Sequence, residues 1–152
     1  MMPHHNFQLP VAVLDWGFQS ATISVVIGGR PVYTRQVHRC GYHRVLDSVM
    51  ETMDFSRERA QHVLLEYGLP TPHGDDRTFH PAQQMIADAI SSNLRELIEE
   101  IHRTLTYLRS QRSHWYPHQI VLFEGGAMIK NVEVLLSERV GIRTEPWQMQ
   151  AD

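Results

Sequence analysis

Val11-Ala-Val-Leu-Asp15-Trp-Gly17-Phe-Gln-Ser-Ala-Thr22-Ile-Ser-Val-Val-Ile27 reads as an apolar strand, a glycine turn and a second strand. Near the other end, Ile120-Val-Leu-Phe-Glu124-Gly125-Gly126-Ala127 is again an apolar strand running into glycines, with a helix expected behind it. Two such turns, far apart in the chain, suggest a phosphate-binding corner and a base-binding corner of one nucleotide site. The residues between them decide whether that site is complete.

A chain of 152 residues supports one domain with a real core. Its 42% hydrophobic and 20% charged residues are the mixture of a water-soluble globular protein. A formal net charge of -3 argues against a partner held through nucleic-acid phosphates. With Cys40 the only cysteine, no internal disulfide can form and nothing points to an oxidising compartment. No apolar run reaches the roughly 20 residues a membrane helix needs, and Met1–Pro10 reads as a polar, flexible arm without a signal core. The expected location is the cytoplasm, without direct membrane insertion. The ten histidines carry no zinc-type spacing and read as surface residues.

Residues 11–148 read as a single domain. Gly28-Gly29 signals a tight hairpin between Thr22–Ile27 and an edge strand, Pro31–Val37. Val45, Val49 and Met53 then recur at helical spacing, and Ser56 is placed to cap a second helix ending near Gly68. Leu69–Pro81 reads as a loop, and Pro81 opens a long helix to about Gln111. Along it Ile86, Ile90, Leu94, Leu97, Ile101, Leu105 and Leu108 form one apolar stripe, fit to cover a sheet. Ser113–His118 is expected as a loop, Ile120–Phe123 as a buried strand, Asn131–Arg139 as a helix stopped by Gly141, and Ile142–Glu145 as a last strand. The order β-β-β-α-α-α-β-α-β indicates a mixed α/β sheet with a three-stranded meander and crossover helices. It is the order of the ribonuclease H-like unit on which actin-type ATPases are built.

Within that class the chain resembles the second half of the PilM family, actin-like proteins of type IV pilus assembly related to FtsA and GspL. The residues that carry the resemblance are Leu14-Asp-Trp-Gly-Phe-Gln-Ser-Ala-Thr22, Val32-Tyr-Thr-Arg35, Phe55-Ser-Arg-Glu-Arg-Ala60, Val121-Leu-Phe-Glu-Gly-Gly-Ala127 and Glu145-Pro-Trp147. The resemblance implies ATP in a cleft and a partner of the PilN type, through which the chain would sit at the inner face of the membrane. It implies that Asp15, Gly17 and Thr22 form the phosphate corner, with Asp15 ordering Mg²⁺ through water. Gln61 would then reach a ribose, and Gly125, Gly126 and Ala127 would lie along adenine.

Departures from the family pattern point to a degenerate site. The half that would precede Val11 is missing from this sequence, and with it a second phosphate loop. Gly41-Tyr42 stands where the family has Gly-Gly, and Leu46 where it has a threonine. Leu64 replaces a lysine expected to face adenosine, and it offers no donor or charge. Glu124 brings a carboxylate toward the site, and Trp16 is expected to fill space a phosphate would take. The leading reading is a non-catalytic assembly module that requires no cofactor. Its first alternative is a working ATP-binding half completed by a separate first half or by a second copy. Its second is a ribonuclease H-like nuclease using Asp15 with Glu51 or Asp88 as metal ligands. Arg35 is expected as a strand-edge surface charge, Cys40 as a buried or half-buried thiol, and Trp115 with Tyr116 either as an exposed loop contact or as packing under the long helix.

Overall fold

The computed structural model describes residues 9–72 and 80–147. Most of the expected N-terminal arm, the middle of the 69–81 loop and the boundary at 148 lie outside them.

Three consecutive antiparallel strands, β1 (Val11–Trp16), β2 (Ala21–Ile27) and β3 (Arg30–Val37), form the meander. Gly28 and Gly29 close the second hairpin at φ 59° and 77°, the left-handed conformation that matches strand twist. Pro31, which has no N–H to donate, sits near the start of β3 on the sheet edge. β4 (Gln119–Phe123) and β5 (Arg143–Pro146) complete a five-stranded sheet in the order β3-β2-β1-β4-β5. β1 runs antiparallel to β2 but parallel to β4, with Asp15 opposite Thr22 on one side and Phe123 on the other.

Alternation sorts the strand residues by face. Ala12, Leu14, Trp16, Ile23, Ile120 and Leu122 join the buried core with the helices, whereas Asp15 on the other face is exposed. α1 (Tyr42–Met53) buries Tyr42, Val45, Leu46 and Val49, and Asp54 stops it in the left-handed conformation. α2 (Arg57–Glu66) starts where expected, with Ser56 Oγ accepting the Arg59 N–H at 3.2 Å. α3 runs from Pro81 to Gln111 and buries every member of the apolar stripe. Its start carries a signal that the sequence hid. The His80 ring accepts the Ala82 N–H, while the Gln83 side chain accepts the His80 N–H, a reciprocal cap made without serine or threonine. α4 (Val132–Val140) returns the chain to β5 and ends at Gly141, at φ 80°.

Two expectations change. The second glycine turn leads not straight into a helix but into a short 3₁₀ turn, Gly125–Met128, before α4. A similar turn, Ser113–Trp115, lies within the expected loop after α3. Arg35 is not a free surface charge. It points at α3, where its guanidinium donates to Glu100 Oε2 at 2.5 Å, to Thr104 Oγ1 at 3.0 Å and to the Glu100 carbonyl at 3.3 Å. Tyr33, two residues earlier on the same strand face, stacks on Tyr107 at 5.6 Å. Together they fasten the edge strand to the long helix. Cys40 is buried as expected, and burial, with Glu96 and Glu100 adding, pushes its thiol up to about 11.

Replacing Arg35 by alanine removes bonds to a carboxylate that is largely shielded from water. The expected loss is about 1–2 kcal/mol, seen as a lower urea midpoint at unchanged slope. Cys40, neutral at pH 8 and covered, is expected to resist iodoacetamide in the native protein and to react once urea unfolds it.

Candidate functional site

β1 and β4 lie side by side and parallel, yet the chain leaves their carboxyl ends in opposite directions. From β1 it turns back into β2, and from β4 it crosses to β5. In open α/β sheets the strand ends at such a divergence are the place where ligands are accepted. Both glycine turns fall there.

The first turn is held by backbone bonds. The Gly17 N–H donates to the Ser20 carbonyl at 3.1 Å, closing the hairpin. The N-terminus of α1 docks on it, with the Tyr42 N–H donating to the Gly17 carbonyl at 2.8 Å and the His43 N–H to the Phe18 carbonyl at 3.0 Å. Gly41 is required at this junction, since a Cβ there would overlap the Gln19 carbonyl. Asp15 is exposed at the end of β1, and Thr22, half-buried, pairs with it across the hairpin.

The second turn packs against the protein's own aromatic rings. Gly126 is buried, and a Cβ on it would run into the Trp16 indole, itself 1% exposed. A Cβ on Gly125 would come within 2.7 Å of the Tyr42 ring. Trp16 therefore does not stand in front of the first hairpin, as expected; it points into the core and supports the second turn from beneath. Its indole N–H is buried without an acceptor among the described residues. Burial also raises the Tyr42 phenol above its usual range. Ala127 is half-buried against the core, its N–H on the Glu124 carbonyl at 3.1 Å.

Glu124, exposed between β4 and the glycines, has φ 70° and ψ -158°, a region almost reserved for glycine. Backbone strain is thus stored directly after β4.

Helix α2 joins the two corners. At its start Arg57 lies over the Phe18 ring of the first turn, 5.3 Å from the ring centre. At its end the Lys130 N–H donates to the Leu64 carbonyl at 3.0 Å, and the Leu69 N–H to the Lys130 carbonyl at 2.9 Å. Asn131 Nδ2 adds a bond to the Leu69 carbonyl at 2.7 Å. Gln61 is exposed on α2, but Leu64 is fully buried in the core, so it does not face the expected site as the sequence suggested. Leu46 is likewise a core residue. The structure places the sequence-expected Asp15, Gly17 and Thr22 at the first turn, Gly125, Gly126 and Ala127 at the second and Gln61 on α2, and the packing of Tyr42 and Arg57 against the two turns was not expected from the sequence. The Gly41-Tyr42 replacement was the available signal for Tyr42.

Among the described residues no three histidine, cysteine or acidic side chains come together to hold a metal ion. Asp15, Glu51 and Asp88, named as metal ligands in the nuclease alternative, therefore form no such group. No described helix is long and apolar enough to cross a membrane.

This five-stranded mixed sheet, with a glycine turn after each of its neighbouring parallel strands β1 and β4, defines an actin-like fold, and solved structures agree. The chain superposes on a chain of a PilM–PilN type IV pilus biogenesis complex with a TM-score of 0.72 and 23% identity, covering 93% of itself and 36% of that chain. It matches MreB5 of Spiroplasma citri bound to AMPPNP with a TM-score of 0.60 and 14% identity, over 93% of itself and 50% of that chain. A non-polymerising MamK mutant bound to AMPPNP gives 0.63 and 17%, over 93% and 50%. The chain thus spans between about a third and a half of these relatives' lengths. The family described as type IV pilus assembly protein PilM matches over residues 1–149, and the chain belongs to that family.

Gly126→Ala is expected to cost about 3 kcal/mol or more through overlap with Trp16. In a double-mutant cycle with Trp16→Leu the two losses should fall clearly short of additive. Glu124→Gly, which relieves the backbone, is expected to raise stability by about 1 kcal/mol, measured as a shift of the urea midpoint.

Proposed function

We propose that this chain is a non-catalytic assembly module, resembling the C-terminal half of PilM, in a type IV pilus or related secretion complex of the inner membrane. Its nucleotide site is degenerate on the base side. The observation that supports this most is the packing of the second turn. The glycines that would lie along adenine are engaged by Trp16 and Tyr42, and Gly126 has almost no surface to offer a ligand. The Gly126 backbone, buried against its own core, cannot also stack on a base without local opening. Gln61 remains available to a ribose, and Asp15 to a hydrated Mg²⁺, but neither supplies base recognition. In this reading the chain requires no cofactor and does not turn over ATP.

Membership of the PilM family and the likeness to a PilM–PilN complex support a PilN-like membrane protein as partner, with this chain held at the inner face of the membrane through it. No nucleic-acid partner is proposed, in keeping with the net charge of -3.

Isothermal titration with ATP and Mg²⁺ tests the site. Binding far weaker than low micromolar, and phosphate release no faster than the buffer blank, is the expected result; low-micromolar affinity or clear turnover would sink the degenerate-site reading. Co-expression with a PilN-like protein, followed by gel filtration of the detergent extract, tests the partner. Co-elution is expected, and separate elution counts against the assembly role.

A further inference from the structure

The sheet has another end, away from both glycine turns. There β1, β4 and β5 start, β2 ends, and the Gly28-Gly29 hairpin turns into β3. α3 brings its last turns to the same place. Tyr107 stacks on Tyr33 of β3, and the Ser113–Trp115 turn then leads back to β4. His118 secures that return, its backbone N–H and ring Nδ1 both on the Pro10 carbonyl, at 3.2 and 2.7 Å.

The charge here is one-sided. The protein carries a net charge of -3, yet residues 101–123 hold three arginines, three histidines and no acid. Arg109 and Arg112 are exposed, and so is Arg30 directly after the hairpin glycines. None of these three arginines has a carboxylate partner among the described residues. Arg109 and Arg112 lie instead over the Tyr116 and Trp115 rings, 4.9 and 5.5 Å from their centres, contacts that hold a guanidinium without neutralising it. Glu145 and Glu138 lie on the β5 side, the carboxylate of Glu145 taken by Arg143 and by the Gln119 amide. The fold does not account for this much charge. The C-terminus of α3 carries only about half a negative charge, less than its two arginines supply.

Exposed arginines interleaved with tryptophan and tyrosine are the composition that settles at the headgroup level of an anionic bilayer. At the inner face of the membrane, lipid headgroups are also the densest anions this end would meet. We infer that this end of the sheet rests on anionic phospholipid, with Arg30, Arg109 and Arg112 at the headgroups and the glycine turns directed away from the membrane. The inference rests on the place at the inner membrane proposed above. It adds an orientation, and a lipid contact beside the one made through the PilN-like partner.

Sedimentation of the chain alone with vesicles tests it. Vesicles of phosphatidylcholine with about one third phosphatidylglycerol are expected to carry the protein down at low salt, and phosphatidylcholine alone to leave it in solution. Salt raised to about 1 M, where charges are screened beyond about 3 Å, should release it. One arginine near such a surface is worth about fivefold in affinity. Arg109→Gln with Arg112→Gln is therefore expected to weaken binding at least about tenfold. Arg59→Gln with Arg95→Gln removes equal charge elsewhere, Arg95 standing about 20 Å from Arg109 along α3, and should leave binding within about twofold. If the first pair disturbs the circular dichroism spectrum, Arg30→Gln alone carries the test, with about fivefold weakening expected.

Equal pelleting with both lipids, or none with phosphatidylglycerol, overturns the inference. Equal losses in the two double variants overturn the assignment to this end. Co-elution with the PilN-like protein is measured separately. Co-elution without vesicle binding leaves the assembly role standing and sinks the lipid contact; vesicle binding without co-elution does the reverse. If Arg109→Gln with Arg112→Gln keeps vesicle binding but loses co-elution, this end reads an acidic protein segment instead.

Discussion

Two aromatic rings set against two glycines hold together the end of this molecule where β1 and β4 finish. Trp16 closes the end of β1 and Tyr42 opens α1, and between them they carry the turn that follows β4. Neither contact tolerates a side chain on the glycine. The interlock brings the carboxyl ends of the parallel strands, the start of α1 and the second turn into one packed unit. It also fixes what the strand ends can present: a hairpin on one side and a glycine turn already engaged on the other. Among the described residues the Trp16 indole N–H has no acceptor, so the contact with Gly126 rests on shape.

The meander, the crossover helices and the long covering helix were legible because each rests on a local pattern. Gly28-Gly29 requires positive φ at consecutive residues, and only a few residue types allow it cheaply. The α3 stripe repeats over so many turns that no other element accounts for it. The order of elements then left few sheet topologies to choose from.

What the sequence concealed was long-range or direction-dependent. That Arg35 turns inward depends on Glu100 and Thr104 lying across from it, sixty-five and sixty-nine positions later. Leu64 read as a lost ligand because a helix position compared with a family pattern carries no information on which face is buried. The structure places it in the core. Trp16 was recognised as unusual, but its side of the strand became clear only once Leu14 and Ala12 were seen to face the helices with it. His80 escaped as a helix cap because an imidazole rarely fills that role.

The bonds that tie Leu64 and Leu69 to Lys130 and Asn131 have a consequence for motion. They lace the end of α2 to the second turn as one strand is laced to another, while Arg57 rests the start of the same helix on the first turn. One helix thus touches both turns, and the Leu69 and Lys130 amides, both held in these bonds, are expected to exchange with solvent together, as parts of a single cooperative unit.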